Sequence, residues 1–287
     1  EWSMANVYDC RPGDTMFTAS DIGWVVGHSY IVYGPLLHRV RSVMMEGKPV
    51  GTPDAGTLWR LMAENRARSF FTAPTAVRAV IKEDPEGRLL ARHDLSRLRN
   101  FYLAGERLDP ATQQWLQAKL PGVRVMDHWW QTESGWPIVA NPAGLEALPP
   151  RPGSPSVAMP GYDVRALDPS TGEERPAGEL GDIVSKLPLP PGFSPEIWGA
   201  PGRFQELYLS RYPGYYQSGD HGRVDGDGYV YIMGRTDDVI NVSGHRLSTG
   251  EMEAYLSEHP DVAECAVIGV HDPMKGEVPV GVVVRKR

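Results

Sequence analysis

The chain has 287 residues, 41% hydrophobic and 23% charged, with 36 acidic against 29 basic side chains and a formal net charge of −7. That is enough chain for one sizeable domain plus a smaller one, and the composition excludes disordered and collagen-like classes. The acidic surplus argues against a protein built to grip nucleic acid or an anionic membrane, while leaving room for a local basic pocket for phosphates.

The chain opens at Glu1-Trp2-Ser3, without a methionine, in what reads as the middle of a helix. The expectation is a piece of something longer. Residues 1–140 alternate strand-like and helix-like runs. Ser69–Ala73 is a strand candidate, and Pro74 marks a helix start behind it. Arg99–Ala104 is a second strand, followed by a turn and a polar helix over Pro110–Lys119. Val123–Asp127 is a third. Strand, helix, strand at this spacing predicts parallel pairing in an α/β layer.

Over residues 150–235 prolines and glycines cluster, and short strands are expected near Tyr162–Leu167, Gly181–Lys186 and Tyr229–Met233. Asp225-Gly226-Asp227-Gly228 reads as a tight hairpin turn. The stretch Leu187–Pro201 reads as a Pro-rich irregular loop. Beyond Arg235 a compact α+β piece begins. Ser248-Thr249-Gly250-Glu251 has the form of a capping box, with a helix to about Glu258, ended by His259-Pro260. Val262–Val270 and Val278–Val284 read as strands. The domain boundary is expected at about Asp237, which gives a large unit over 1–236 and a small one over 237–287.

The two cysteines, Cys10 and Cys265, are far apart and fit no paired metal-ligand spacing, so neither a disulfide framework nor a zinc site is expected. A reducing, cytosol-like compartment fits. The longest apolar runs, such as Val280–Val284, are too short to span a bilayer. No secretory signal opens the chain, and no repeat of fixed period runs through it.

Five strings concentrate the chemistry. In Asp127-His128-Trp129-Trp130-Gln131-Thr132-Glu133-Ser134-Gly135, a strand ends and a hydroxyl, an amide and a carboxylate follow at once. Ligands of α/β sheets bind outside the carboxyl ends of strands. The two tryptophans alone would equally suit a plain core. Tyr216-Gln217-Ser218-Gly219-Asp220 followed by Gly234-Arg235-Thr236-Asp237-Asp238 offers an aspartate for the hydroxyls of a ribose, or merely two turns with solvated acids. Asn241-Val242-Ser243-Gly244-His245-Arg246 combines a glycine that admits close backbone approach with a planar guanidinium for phosphate oxygens, or is a surface hairpin. Gly23-Trp24-Val25-Val26-Gly27-His28-Ser29-Tyr30 is rich in glycine and aromatic residues, which a buried turn would also explain. Leu103-Ala104-Gly105-Glu106-Arg107 is a strand end followed by a charge pair, or an ordinary strand-to-helix turn.

Together, in this order and at these separations, the strings resemble the AMP-forming acetyl-CoA and propionyl-CoA synthetases of the adenylate-forming superfamily. The resemblance runs over nearly the whole chain. WWQTE, SGD followed by GRTDDVINVSGHR, and GWVVGHSYIVYGPLL carry it. EGKPVGTPDAG, TAPTAVRA, AGER, DHWWQTES, KLPLPPG and YPGYY draw it toward the propionyl branch.

The resemblance implies a fold and a two-step reaction. The fold would be an α/β large domain, incomplete here, of parallel αβ layers plus a β-rich subdomain, with a small mobile α+β C-terminal domain. A short-chain carboxylate attacks the α-phosphate of Mg·ATP, giving an acyl-adenylate and pyrophosphate. The small domain then rotates, and the thiol of coenzyme A displaces AMP.

By the same resemblance Gly105, Glu106 and Arg107 lie along the adenine. Asp127, His128, Trp129, Trp130, Gln131 and Thr132 line the nucleotide, with Thr132 near the α-phosphate. Glu133 helps hold Mg²⁺, a hard cation that takes oxygen ligands. Asp220 and Arg235 hold the ribose, and Arg246 reaches the phosphates. Asp237 is the hinge. Ala73, Ser243 and Gly244 contact coenzyme A. Ser257, His259 and Val262 match a second, structural cation position, served partly by carbonyls.

Val25, Val26, Ala104 and Trp130 would line the acyl pocket. Trp130 closes it to long acids. Ala104, where acetyl enzymes carry Val, leaves room for about one more carbon, so propionate is favoured over acetate. One methylene in an apolar pocket discriminates only about 10–200-fold. Arg107, where acetyl enzymes usually carry Pro, departs in the same direction.

Two parts of the family pattern are missing from the 287 residues. The Ser/Thr/Gly-rich phosphate loop is expected before Glu1, and the lysine that drives adenylation is expected beyond Arg287. The isolated chain is therefore expected to form acyl-adenylate poorly. ATP, Mg²⁺ and coenzyme A are the expected small molecules, alongside the acid, with no prosthetic group, no nucleic acid and no membrane. Other domains of a larger polypeptide are the expected protein partners. The compartment is read as cytoplasmic, or mitochondrial matrix if a targeting segment precedes the chain. A module of a larger synthase, a domain that loads a carrier protein, and a non-catalytic nucleotide or acyl-adenylate binder remain as alternatives.

Overall fold

The structure is a computed structural model that describes residues 1–236, 238–242, 245–257 and 259–285. The chain divides into two compact units, Glu1–Tyr162 with Pro190–Pro195, and Asp163–Leu189 with Glu196–Arg287.

The first unit opens on a short helix α1 (Trp2–Asn6) and a strand β1 (Thr15–Ala19). A helical run follows: α2 (Val25–Gly27), a π-helical stretch His28–Tyr33, and α3 (Gly34–Leu37). Next come β2 (Arg41–Val43), α4 (Thr57–Glu64), β3 (Ser69–Thr72), α5 (Pro74–Glu83), a 3-10 turn Leu90–Arg92, β4 (Asn100–Leu103), α6 (Pro110–Lys119) and β5 (Arg124–Asp127). The short strands β6 (Val139–Ala140) and β7 (Ser156–Ala158) pair antiparallel.

Strands β1 to β5 form a five-stranded sheet in the order β2-β1-β3-β4-β5. Every pairing in it is parallel, with Phe70 opposite Phe101 and Leu103 opposite Asp127. All residues of β3 and β4 are buried, which is why SFFT and NFYL read as runs rather than alternations. Proline at the first turn starts α5 and α6, and Asp109 caps α6 by accepting the Thr112 amide at 2.8 Å. The core between sheet and helices is built on Trp59, Phe70, Phe101, Leu103 and Leu116.

Two features of this unit go beyond the sequence expectation. Strands β1 and β2 were not expected, because TMFTA and RSV mix hydroxyls with apolar residues. Thr18 is nonetheless buried, its hydroxyl donating to the Tyr30 carbonyl at 3.1 Å. The glycine-aromatic string, for which a buried turn is the plain alternative to a site role, makes a helical run from Val25. Its glycines serve close packing: a Cβ at Gly27 would fall 2.5 Å from the Ile22 Cα, and one at Gly34 2.5 Å from the Ser29 carbonyl oxygen.

In the second unit β8 (Val164–Leu167), β9 (Gly181–Lys186), β10 (Tyr215–Val224) and β11 (Tyr229–Arg235) run antiparallel in that spatial order, with α7 (Arg203–Tyr208) between β9 and β10 in sequence. The hairpin at Asp225–Gly228 forms as expected. The Asp225 amide donates to the Tyr229 carbonyl at 2.9 Å, and the Asp225 carboxylate accepts the Tyr229 amide at 2.9 Å. Residues 187–202 carry no helix or strand, in keeping with their prolines.

A second sheet joins β12 (Val239–Val242), β13 (His245–Ser248), β14 (Val262–Asp272) and β15 (Gly276–Arg285) in the order β13-β12-β15-β14, all antiparallel. Helix α8 (Thr249–Ser257) connects β13 to β14. The expected boundary at 237 falls between β11 and β12, and Asp237 itself lies outside the described residues. Among the described residues no helix is long and apolar enough to cross a membrane.

Candidate nucleotide and acyl site

The carboxyl ends of β3, β4 and β5 lie side by side, and each is followed at once by a predicted site string. Behind β3 comes Ala73, the extended N-cap of α5. Behind β4 comes Ala104, half-buried, its amide donating to the Thr72 carbonyl at 3.2 Å. Gly105 then turns with φ +101°, a left-handed conformation that glycine adopts without strain. Parallel register therefore places three strings on one rim, where α/β sheets take their ligands.

Glu106 points back to α5. Its carboxylate accepts the Thr75 amide at 2.6 Å and the Arg78 guanidinium at 2.7 Å, and also the Thr75 hydroxyl. Arg78 reaches Asp109 as well, at 3.3 Å. The loop from Gly105 to Asp109 is thus clamped to the first turn of the neighbouring helix. Thr75 and Arg78 belong to the TAPTAVRA string, whose composition alone does not mark them for this clamp.

Behind β5, the Asp127 carboxylate accepts the His128 amide at 2.9 Å and the Leu108 amide at 3.4 Å. Burial pushes its carboxyl up to about 7, against the lowering effect of those two amides and of Arg107. His128 differs from the expectation of a nucleotide-lining side chain. It is 2% exposed, and its ring points into the core, with Nε2 2.9 Å from the Tyr8 hydroxyl and Nδ1 2.7 Å from the Leu103 carbonyl. Burial pushes its imidazole down to about 4.

Trp129 is held by backbone bonds to Val139 at 2.9 and 3.0 Å. Trp130 is half-buried, its ring edge-on to Tyr30 with centroids 5.6 Å apart. Tyr30 follows Val26 by four residues in the same helical run, and Val25 and Val26 are both half-buried. Gln131, Thr132 and Glu133 sit in the turn that follows. Ser134 braces that turn, donating to the Trp136 carbonyl at 2.8 Å and accepting the Gln131 amide at 3.2 Å. Thr132 is exposed and Glu133 half-buried, its carbonyl taking the Ser194 amide at 2.7 Å. The Ser29 hydroxyl ties the helical run to the same turn through the Gly135 carbonyl at 2.7 Å.

In the second unit, the register of β10 and β11 sets Asp220 opposite Arg235. Asp220 is 6% exposed, and its carboxylate lies 3.9 Å from the Arg235 guanidinium. Gly219, with φ +75°, lies where β10 shifts register against β9, between Gln217 and Asp220, and Arg235 donates to the Ser218 carbonyl at 3.2 Å. These two predicted residues are brought together.

Arg246 stands on β13 opposite Asn241, and only its backbone is among the described atoms. Ser243 and Gly244 lie outside the described residues, as does Asp237. His259 and Val262 bracket the turn from α8 into β14, where the Val262 amide donates to the His259 carbonyl at 3.0 Å.

Residues 1–189 match the family described as AMP-binding enzyme, and residues 251–287 match the AMP-binding enzyme C-terminal domain. The chain is 55% identical to an uncharacterized protein of Pseudomonas aeruginosa over 287 residues, covering 99% of this chain and 45% of that protein. It is 49% identical to a propionate--CoA ligase of Escherichia coli, again covering 99% of this chain and 45% of that protein. It is 48% identical to the human mitochondrial acyl-CoA synthetase short-chain family member 3, covering all of this chain and 42% of that protein. The chain thus spans less than half the length of these curated relatives. Among solved structures, an anthranilate CoA ligase in complex with anthranoyl-AMP superposes with a TM-score of 0.82 at 27% identity, over 99% of this chain and 51% of that one. The chain belongs to the AMP-binding enzyme family.

Proposed function

We propose that this chain serves the ATP-dependent ligation of a short-chain carboxylic acid to coenzyme A, through an acyl-adenylate, with propionate as the favoured acid. The observation that carries the reading is the convergence on one sheet rim of Ala104, Gly105 and the Asp127–Glu133 turn, with Trp130 packed on Tyr30. The printed names of the relatives, a propionate--CoA ligase and short-chain acyl-CoA synthetases, support it.

In this reading Gly105 and the clamped loop after it lie along the adenine, and Thr132 takes the α-phosphate. Adenylate transfer asks the protein mainly to position groups and to stabilise charge, so a preorganised hydroxyl and carboxylate matter more than a nucleophile. Glu133 would supply an oxygen ligand for Mg²⁺, and the ion would neutralise charge on the triphosphate. Asp220 and Arg235 serve the ribose. Arg246, Ser243, Gly244 and Ala73 are assigned to the phosphate and coenzyme A contacts, and Asp237 to a hinge at a boundary between 1–236 and 237–287. His259 and Val262 are assigned to a second cation. Trp130, Val25, Val26 and Ala104 enclose the acyl chain. The free carboxylate of the acid attacks the α-phosphorus, pyrophosphate leaves, and the thiol of coenzyme A then displaces AMP.

The test is acid-dependent formation of AMP together with the matching CoA thioester, read by mass spectrometry on the full-length protein. Thioester formation with propionate supports the reading. AMP formation without thioester transfers the second step to another acceptor, such as a carrier protein.

A further inference from the structure

Beneath the rim lies an aromatic cluster that the proposed chemistry does not use. Tyr8, Tyr30, Phe71, Tyr102 and His128 are each at most 3% exposed. Trp130 rests on three of them, with ring centroids 5.6 Å from Tyr30, 6.3 Å from Phe71 and 6.3 Å from His128.

The polar tips of this cluster are tethered in a specific way. His128 Nδ1 lies 2.7 Å from the Leu103 carbonyl, which can only accept, so Nδ1 carries the proton. Nε2 is then an acceptor, and the Tyr8 hydroxyl, 2.9 Å away, donates to it. One tautomer and one hydroxyl orientation satisfy both contacts. Tyr30, in turn, has its hydroxyl 2.9 Å from Ser3 Oγ. Tyr8 and Tyr30 also pack edge to face at 4.6 Å. Two of the three rings behind Trp130 are therefore fixed by side chains from the first eight residues, far in sequence from the strings of the site. A buried imidazole that loses its donor carries an unmet acceptor in a low-dielectric surround, which favours rearrangement of the ring.

We propose that Tyr8 and Ser3 are specificity-determining positioning residues: acting through His128 and Tyr30, they hold the Trp130 ring at one depth and so set the longest acid the pocket accepts. This rests on the reading of Trp130 as the acyl-pocket wall. A ring free to tilt opens the pocket by about one methylene, the difference between propionate and butyrate. Because that difference discriminates by only about 10–200-fold, losing the tether erases a measurable part of it.

The experiment uses the full-length protein with Tyr8→Phe, Ser3→Ala and His128→Gln, the last keeping one donor and one acceptor. The readouts are kcat/KM for butyrate relative to propionate, KM for ATP, melting temperature, and crystal structures of wild type and Tyr8→Phe. The expected result for Tyr8→Phe is a butyrate-to-propionate ratio raised about tenfold, an unchanged KM for ATP, and a displaced or second Trp130 orientation. Ser3→Ala shifts the ratio in the same direction, and His128→Gln shifts it less than Tyr8→Phe. An unchanged ratio with an unmoved Trp130, accompanied only by a lower melting temperature, overturns the proposal. A wild type that activates no short acid would defeat the function reading instead, and the Trp130 position in the Tyr8→Phe crystal would still decide whether the tether acts.

Discussion

Asp220 and Arg235 face each other across the β10–β11 hairpin, 3.9 Å apart at their charged ends, with Gly219 beside them where β10 shifts register against β9. The register of an ordinary antiparallel pair therefore presents a nearly buried carboxylate and a half-exposed guanidinium together. Hydrogen bonds to charged groups contribute about 1.5–3 kcal/mol, so Asp220→Ala should raise KM for ATP roughly ten- to a hundredfold. Gly219→Ala should act in the same direction, because a Cβ there would lie 2.7 Å from an Arg235 nitrogen on a backbone of φ +75°. Steady-state kinetics with circular dichroism as the folding control decide this. An unchanged KM in both variants removes the ribose role.

Ala104 follows β4 directly and is half-buried on the rim. Ala104→Val adds two methyl groups to the proposed acyl-pocket wall. The expected result is a shift of relative kcat/KM from propionate toward acetate by about tenfold, the scale of one methylene in an apolar pocket. A propionate-to-acetate ratio identical to wild type would remove Ala104 from the acyl wall.

Arg78 ties Glu106, an expected adenine neighbour, and Asp109 to α5, although Arg78 itself is assigned no ligand contact. Its pairs are about one-third exposed, so solvent limits their worth to about 1 kcal/mol. Arg78→Met should free the Gly105–Asp109 loop. It should raise KM for ATP several-fold, by about 1 kcal/mol of binding, while leaving the propionate-to-butyrate ratio alone. A changed ratio with a constant KM for ATP would contradict the separate roles of loop and aromatic wall.

The Asp127 carboxyl and the His128 imidazole give opposite pH dependences of stability. Asp127, raised from 3.8 to about 7, contributes stability that is full below 3.8 and lost as pH rises through 7. His128, lowered from 6.5 to about 4, contributes stability that is present above 6.5 and lost as pH falls toward 4. In wild type the two slopes offset each other over this window. Asp127→Asn removes one of them, so urea midpoints of that variant should fall as pH drops from 6.5 to 4, more steeply than in wild type. Parallel pH profiles for the two proteins would contradict the assignment.

The parallel layer was legible because its strands are buried on both faces. SFFT and NFYL are apolar runs, and Pro74 and Pro110 announce the helices that follow them. The hairpin at Asp225–Gly228 was legible from its turn residues. Strand β1 was not, because a buried threonine satisfied by a distant carbonyl looks polar in sequence.

The site strings announced themselves through motif composition, yet what supports them did not. The Tyr8–His128 contact spans 120 residues, and no local spacing predicts it. The inward turn of His128 is likewise invisible in DHWWQTE, since the Leu103 carbonyl and the Tyr8 hydroxyl that hold its ring both lie outside that string. The clamp of Glu106 on Thr75 and Arg78 joins two strings that were each visible, but the link required parallel pairing of β3 with β4.

Acid-dependent exchange of pyrophosphate into ATP, measured on the full-length protein with acetate, propionate and butyrate side by side, tests the central claim most directly. The account predicts exchange with a short acid and the highest rate with propionate. No exchange with any of the three, in folded full-length protein supplied with Mg²⁺, would contradict it.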